Sequence, residues 1–131
     1  MRIKQISVFL QNVPGRVNQV LKILGDNGVN IRGIMMPDAA EWGILRLLVS
    51  DEDRAAGILK ENGFAIDVIE VLSYVVPNIP GTLFKEVLEP LSKAGINLVY
   101  MYGFFDTQAE VAKVVFRTDN LEEAAKILGI S

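Results

Sequence analysis

The motif Asn12-Val13-Pro14-Gly15 returns later in the chain as Asn78-Ile79-Pro80-Gly81. A second motif, Gly28-Val29-Asn30-Ile31, returns in the same way as Gly95-Ile96-Asn97-Leu98. The two motifs occur in the same order each time, and a single inserted residue accounts for the difference in their separation. Repetition of this kind is typical of a duplicated structural unit. The sequence therefore predicts two copies of one unit in a single chain.

A third pair of short segments extends the repeat. Ser50-Asp51 matches Thr118-Asp119, and one further residue is inserted in the second repeat between this segment and the preceding motif. Three matches in the same order indicate a tandem duplication, with the first repeat over residues 1–70 and the second over residues 71–131. Each repeat is near the lower end of the usual size range for a domain.

The first repeat has the pattern of a strand, a helix, two strands and a second helix. Ile6, Val8 and Leu10 alternate with Gln5 and Ser7, which is the period of a strand with one buried face. A helical stripe at i, i+3, i+4 and i+7 follows, formed by Val17, Val20, Leu21 and Leu24. Strands are then predicted over residues 29–36 and 42–49, and Ser50 or Asp51 is expected to cap the second helix.

Residues 64–76 are rich in apolar side chains, contain no Gly, Pro or Asn, and are too many for one average strand. They are interpreted as two strands in series, one closing the first repeat and one, near residues 72–76, opening the second. In the second repeat Pro90 is expected to kink a helix, and Asp119-x-x-Glu122 to form a capping box. Because the chain stops after that repeat's last helix, its sheet should have an open edge or borrow a strand.

The order βαββαβ with short connections predicts an α+β protein with the ferredoxin-like fold, repeated twice. Each repeat should form an antiparallel sheet with its helices on one face, and the second repeat lacks its own closing strand. Because this fold supports many unrelated functions, the function has to be inferred from particular sites.

Composition disfavours several classes of function. The 131 residues are 50% hydrophobic and 22% charged, with a mean hydropathy of +0.32, which suits a packed core. The chain has no Cys and no His. It therefore lacks a thiolate, the commonest general base and the commonest metal ligands, and we predict a protein that is not an enzyme, with no catalytic residues, no metal site and no cofactor.

Charge and hydropathy also bear on partners and location. The net charge of −3 and the isoelectric point near 4.9 disfavour nucleic acid as a partner, because phosphate binding needs clustered Lys and Arg. No apolar run approaches the roughly 20 residues that span a bilayer, and the first residues do not resemble a secretion signal. We therefore expect a cytoplasmic protein with no membrane segment.

The repeated Pro-Gly motif is the first candidate binding site. It joins a strand to a helix, so the amides of Gly15 and Arg16, and of Gly81 and Thr82, are expected to point outward at helix N-termini that attract anions. Pro makes the turn rigid and Gly admits a ligand close to the backbone, which suits a carboxylate. The alternative is that the motif is only a stable turn between a strand and a helix.

Asn30 and Asn97 are the second candidates, since Asn is depleted in strands and here occupies the same position twice. An Asn amide can donate to a carboxylate and accept from an ammonium group, as an amino acid requires. In the alternative interpretation, each Asn satisfies the turn left by Gly28 or Gly95.

Together the two duplicated motifs resemble the ACT domain family over essentially the whole chain, and in particular its stand-alone tandem members. The resemblance implies an allosteric regulatory module that binds a free amino acid between two ACT units and has no catalytic domain. It also implies that the ligand-binding residues of one site are Asn12, Pro14, Gly15, Arg16, Asn97 and Leu98. The corresponding residues of the pseudo-symmetric second site are Asn78, Gly81, Thr82, Asn30 and Ile31.

Two differences from the family pattern matter. Arg16 is matched by Thr82, so the two sites need not bind equally well. The missing last strand favours a homodimer in which sheet edges pair between chains.

Other functions remain open at this point. The aromatic cluster over residues 100–105 suggests an RNA-recognition platform, but it lies on the second strand rather than the third and the protein is acidic. The main alternative to a sensor is a ligand-free regulatory or scaffolding subunit that binds and modulates a metabolic enzyme through its sheet edge.

Overall fold

A computed structural model describes all residues, 1–131. It contains six strands, four α-helices and one π-helical turn. The strands are β1 (Arg2–Gln11), β2 (Ile31–Met35), β3 (Trp42–Val49), β4 (Ala65–Pro77), β5 (Leu98–Asp106) and β6 (Val111–Thr118). The helices are α1 (Arg16–Asp26), α2 (Glu52–Glu61), the π-helical turn (Phe84–Leu88), α3 (Glu89–Lys93) and α4 (Leu121–Ile127). None of these helices has the length and apolar composition needed to cross a membrane.

The chain divides into two compact units. The N-terminal unit is Lys4–Ile69, and the C-terminal unit is Glu70–Ser131 together with Met1–Ile3. Within the N-terminal unit the strand order is β2-β3-β1-β4, and within the C-terminal unit it is β1-β4-β6-β5. The paired strands are antiparallel. The predicted α+β, ferredoxin-like fold is therefore confirmed.

Each unit has its own core between the sheet and its helices. In the N-terminal core, Ile6, Val8 and Leu10 of β1 pack with Val20 and Leu24 of α1, and all five are at most 1% exposed. The C-terminal core is built in the same way around Phe116, Leu72, Val87 and Leu91. Fully burying one such side chain contributes about 1.5–3 kcal/mol, so these two clusters supply the main stabilisation.

Strand β4 is continuous where two strands in series were predicted. Its thirteen residues, Ala65–Pro77, run through the boundary between Ile69 and Glu70, so its first part belongs to one unit and its second part to the other. The apolar run contains no Gly or Pro to interrupt the strand, which explains why the two predicted strands are one.

The C-terminal unit completes its sheet with the start of β1. The amino group of Met1 donates to the Ser73 carbonyl oxygen at 2.6 Å, and the Ser73 N–H donates to the Met1 carbonyl oxygen at 2.8 Å. Arg2 adds two hydrogen bonds to Glu122 of α4, at 2.7 and 2.8 Å, and one to Glu70 at 3.2 Å. The sequence left open whether this sheet has a free edge or borrows a strand, and the structure shows the borrowed strand.

Pro90 is accommodated by a change in helix type. The residues just before it form the π-helical turn, and the Glu89 N–H donates to the Phe84 carbonyl oxygen five residues earlier. Proline has no N–H to continue the α-helical ladder, and a π turn is one way to absorb that defect. The structure therefore has a π-helical turn at the place where a kink was predicted.

The hydrogen bonds correct the third repeat match by one residue. Ser50 Oγ accepts from the Asn30 N–H at 3.1 Å, and Asp119 Oδ1 accepts from the Asn97 N–H at the same distance. Ser50 therefore corresponds to Asp119 and not to Thr118. The helix caps shift accordingly, because the α4 cap is Asn120 and not Asp119, so the predicted capping box is wrong.

Candidate functional site

The two Pro-Gly motifs form matching turns, Val13–Arg16 and Ile79–Thr82. Gly15 has φ 88° and ψ −9°, and Gly81 has φ 88°, values that the third residue of a type II turn requires and that favour glycine. The Arg16 N–H donates back to the Val13 carbonyl oxygen at 3.4 Å, and the Thr82 N–H to Ile79 at 3.1 Å. The Arg16 and Thr82 amides therefore close the turns. This differs from the expectation that they point outward.

The N–H groups of Gly15 and Gly81 have no protein acceptor. No atom outside the neighbouring residues lies within 4 Å of the position that a Cβ would take on either glycine, so no other part of the protein fills the space beside them. No side chain caps α1, whereas Asp51 caps α2 and Asn120 caps α4. The Pro-Gly turns therefore leave helix-terminal donors unsatisfied where the other two helix starts in the repeats satisfy them internally.

A hairpin loop fixes the position of each turn. The Asn12 N–H donates to the Glu41 carbonyl oxygen at 2.7 Å, and the Asn78 N–H donates to the Glu110 carbonyl oxygen at 2.9 Å. The Asn12 side chain also donates to the Ala40 carbonyl oxygen at 2.9 Å. Asn12 thus has a structural role, while the exposed Asn78 side chain makes no hydrogen bond within the protein.

The residue after the glycine differs between the two turns. The Arg16 guanidinium lies 5.7 Å from the centre of the Phe64 ring and donates to Gln19 Oε1 at 2.9 Å. These contacts fix the cation beside a groove of about 230 Å³ that Arg16, Phe64 and Asn62 line. Arg16 Nε is buried without a partner. The cation is therefore held in place with unused hydrogen-bonding capacity.

Thr82 is turned into its own loop. Its hydroxyl lies 2.6 Å from the Pro77 carbonyl oxygen and 2.9 Å from that of Ile79, and its single proton can serve one of them at a time. Thr82 therefore stabilises the turn and offers no charge to a ligand.

Asn30 and Asn97 use only their backbones to close the start of the second strand. Besides the N–H bonds to Ser50 and Asp119, their carbonyl oxygens accept from the Ser50 N–H at 2.9 Å and the Asp119 N–H at 3.1 Å. Both residues are exposed, and their side-chain amides bond to no protein group. The alternative in which the Asn amide satisfies the preceding glycine turn is not what the structure contains.

Ile31 and Leu98, which follow these asparagines, pack against the cores of their own units and are partly buried. Leu98 and Asn97 also line a groove of about 430 Å³ in the C-terminal unit, together with Leu88 and Leu91. These two apolar residues thus hold the asparagines in place and present little surface of their own.

No unit brings its own Pro-Gly turn and its own Asn together. Gly15 precedes α1 and Asn30 follows it, and the eleven residues of α1 separate them by about 16 Å at 1.5 Å per residue. Gly81 and Asn97 are separated in the same way by the helical residues 82–93. A small ligand therefore cannot contact both motifs of one unit.

The sequence interpretation missed an apolar groove of about 270 Å³ beside Gly81. Phe84 is 58% exposed and lines this groove with Ile79 and Phe105. Helical spacing gives the direction of a side chain but not whether anything covers it. In the sequence, the only feature that pointed to this groove was the apolar helix that follows the Pro-Gly motif.

Comparisons with known proteins agree with the geometry. A family model described as an ACT domain pair matches residues 1–130. Protein BT0572 from Bacteroides thetaiotaomicron is 38% identical over 98% of this chain and 88% of its own, with a TM-score of 0.92. A search of curated proteins finds no significant match.

Two more distant structures share the fold. The regulatory subunits of aspartate kinase from Thermus thermophilus and Thermus flavus are 17% and 15% identical to this chain. Their TM-scores are 0.66 and 0.60, and each alignment covers 96% of this chain and 90% of the other.

Proposed function

The chain belongs to the ACT domain pair family, and on that premise we propose that it is a non-catalytic regulatory protein that binds a free amino acid at its Pro-Gly turns. The observation that carries this proposal is the pair of unsatisfied N–H groups on Gly15 and Gly81. Each lies at a helix start that no side chain caps, which is an environment that favours a carboxylate, and no other part of the protein fills the space at the Cβ position of either glycine.

The second half of the proposed site is the free side chain of an asparagine. The amide oxygen of Asn30 or Asn97 can accept from the α-ammonium group of an amino acid, while its nitrogen donates to the carboxylate. Because the turn and the Asn of one unit lie at opposite ends of a helix, we propose that each site combines the turn of one repeat with the Asn strand of another. One site would use Gly15 with Asn97, and the other Gly81 with Asn30.

The remaining residues of the two proposed sites have distinct roles. Pro14 restricts the turn, Asn12 ties it to the hairpin loop, and Arg16 adds a positive charge that Phe64 and Gln19 hold in position. In the other site, Asn78 offers a free amide and Thr82 stabilises the turn. Ile31 and Leu98 hold the asparagines against the cores.

The proposed output is regulation of a metabolic enzyme, with the protein acting as a homodimer. Two solved structures of the same fold are described as regulatory subunits, and the proposal extends that role to this chain. The competing possibility is a scaffolding subunit with no small ligand, which the exposed apolar side chains of Trp42, Phe84 and Phe105 favour.

Thermal unfolding with each of the twenty amino acids distinguishes the two functions. A ligand at ten times its Kd should add about 1.4 kcal/mol to the free energy of unfolding. Stabilisation by one or a few amino acids supports the sensor, and no response to any of them supports the scaffold.

Two variants test the asparagines in the same assay. Because the Asn30 and Asn97 side chains are exposed and unpaired, Asn30→Ala with Asn97→Ala should abolish the ligand response and leave the ligand-free melting temperature unchanged. Asn18→Ala, on the exposed side of α1, is the matched control and should respond as the wild type does. A full response in the double variant would contradict the proposed site.

A further inference from the structure

The groove beside Gly81 is mainly apolar, and Asn78 and Thr82 are its polar lining residues. Val76 and Ala112 form its buried floor and are 1% and 2% exposed. Three large side chains at its rim are 58–63% exposed: Ile79, Phe84 and Phe105. No ionisable side chain lines the groove. A protein that leaves three large apolar side chains open around one concave surface has a place for an apolar ligand or partner.

The same place in the N-terminal unit is filled. The Asn12–Glu41 and Asn78–Glu110 hydrogen bonds align the third strands of the two units, and in that alignment Gly43 corresponds to Ala112. A Cβ on Gly43 would stand 2.9 Å from Met36 Cε and 3.0 Å from Ala39 Cβ. The hairpin loop therefore fills the space over Gly43. The space over Ala112, the corresponding residue of the C-terminal unit, is part of the open groove.

The rim differs between the units as well. When the two Pro-Gly motifs are aligned, Phe84 corresponds to Asn18 and Leu88 to Lys22. The groove next to the N-terminal turn is lined by the cationic side chains of Arg16 and Lys22 as well as by Ile23 and Phe64, whereas no charged side chain lines the groove at Gly81. The apolar surface is thus specific to the C-terminal turn and is not a general property of the repeat.

We propose that this groove is the side-chain pocket of the site at Gly81 and that it selects amino acids with a large apolar side chain, such as leucine or phenylalanine. The inference rests on the proposed function, because the Gly81 N–H is the donor that would bind the carboxylate. Gly81 itself lines the groove, so a carboxylate at its amide places the ligand's side chain among Ile79, Phe84 and Phe105. A volume of about 270 Å³ suits a molecule smaller than a typical drug.

The chemistry of the lining explains the selectivity. When an apolar side chain binds, its own surface and that of the two phenylalanines are removed from water, which lowers the free energy. A Lys or Glu side chain would lose its hydration without finding a counter-charge in the groove. Charged amino acids should therefore bind much more weakly at this turn.

Calorimetric titration of the wild-type chain with leucine, phenylalanine, glutamate and lysine tests the pocket. Leucine or phenylalanine should bind at least about tenfold more tightly than glutamate and lysine. Phe84→Asn, which copies the residue of the other repeat, and Phe105→Ala should each weaken that binding about tenfold. Trp42→Ala removes an aromatic side chain of similar exposure from the N-terminal unit and should leave it unchanged.

The outcomes separate this inference from the function on which it rests. Equal binding of charged and apolar amino acids, or unaltered binding in both phenylalanine variants, overturns the pocket and leaves the sensor intact. No heat with any amino acid overturns the sensor and the pocket together. If Phe84→Asn converts a dimer into a monomer in sedimentation and leaves ligand affinity unchanged, the groove is an interface between copies and the inference fails. Unchanged circular dichroism and melting temperature of the variants show that folding is unaffected.

Discussion

The Pro-Gly turns of the two units have the same backbone and different surroundings. Gly15 and Gly81 have the same φ of 88°. The N–H of the following residue closes each turn, and the N–H of the preceding asparagine ties it to a hairpin loop. Beside Gly15 lies a cation, Arg16, held against an aromatic ring, while beside Gly81 lies an apolar groove. The comparison shows that main-chain hydrogen bonds maintain the turn and leave its neighbours free to differ in chemistry.

Equivalent core positions of the two units should both be highly sensitive to truncation. Phe116 and Leu47 correspond when the third strands of the two units are aligned, and both are 0% exposed. Phe116→Ala should cost about 3–5 kcal/mol and Leu47→Ala about 2–5 kcal/mol, because each leaves a cavity in a packed core. Chemical denaturation measures both, and a loss below about 1 kcal/mol for either would contradict the assigned core.

The two turn glycines should respond alike. Gly15→Ala and Gly81→Ala force an L-residue to adopt a φ of +88°, which should cost about 1–2 kcal/mol each. The space around both positions is open, so the cost is a backbone effect with no steric clash. Urea unfolding should give equal losses for the two variants. A clear difference between them would mean that the turns are not equivalent.

Substitution of Gly43 should show that the space beside this residue in the N-terminal unit is filled. Gly43→Ala presses a Cβ against Met36 and Ala39 and should cost about 1 kcal/mol by overpacking. In the Met36→Ala background the loss should be smaller, because the nearer contact has been removed. A double-mutant cycle on urea unfolding measures this coupling, and strict additivity would show that Met36 does not fill the position.

The smallest effect concerns the ion pairs of β1. Arg2 binds Glu122 through two hydrogen bonds, whereas Lys4 and Asp53 are 3.4 Å apart and more exposed. The Arg2 guanidinium holds the pKa of Glu122 below its ordinary value of 4.5. The folded state therefore favours the ionised carboxylate, and the resulting stability is present above pH 4.5 and is lost as the pH falls through the lower folded-state pKa.

Melting curves between pH 7 and pH 2 check this ion pair. Glu122→Gln should lower the melting temperature slightly at pH 7 and match the wild type at the acid end. Asp53→Asn should differ little from the wild type at pH 7. A pH-independent difference for Glu122→Gln would show that its effect is not electrostatic.

Much of the fold could be predicted because it depends on periodicity and turn chemistry. The bounds predicted for β3, residues 42–49, are those observed, and both duplicated motifs occupy the same structural positions in their units. The third match was displaced by one residue, because sequence similarity favoured Thr118 as the partner of Ser50. The structure selects Asp119 because its carboxylate, like the Ser50 hydroxyl, accepts the N–H of the strand Asn.

The burial of individual side chains by the rest of the protein could not be predicted. Gln5 and Ser7 were assigned to an exposed face by alternation, yet they are 0% and 7% exposed. Phe84 is an apolar helix residue, yet its side chain is 58% exposed. Periodicity gives the face on which a side chain lies, and tertiary packing decides whether that face is covered. The apolar groove at Gly81 follows from packing in the same way and has no local sequence signature.

Amide chemical shifts of the two turn glycines during an amino-acid titration show whether a ligand binds at the Pro-Gly turns. The Gly81 N–H signal should move in a saturable manner with leucine or phenylalanine, together with side-chain amide signals of Asn30. Binding without a shift of either Gly15 or Gly81, or no binding by any of the twenty amino acids, would contradict binding at the Pro-Gly turns.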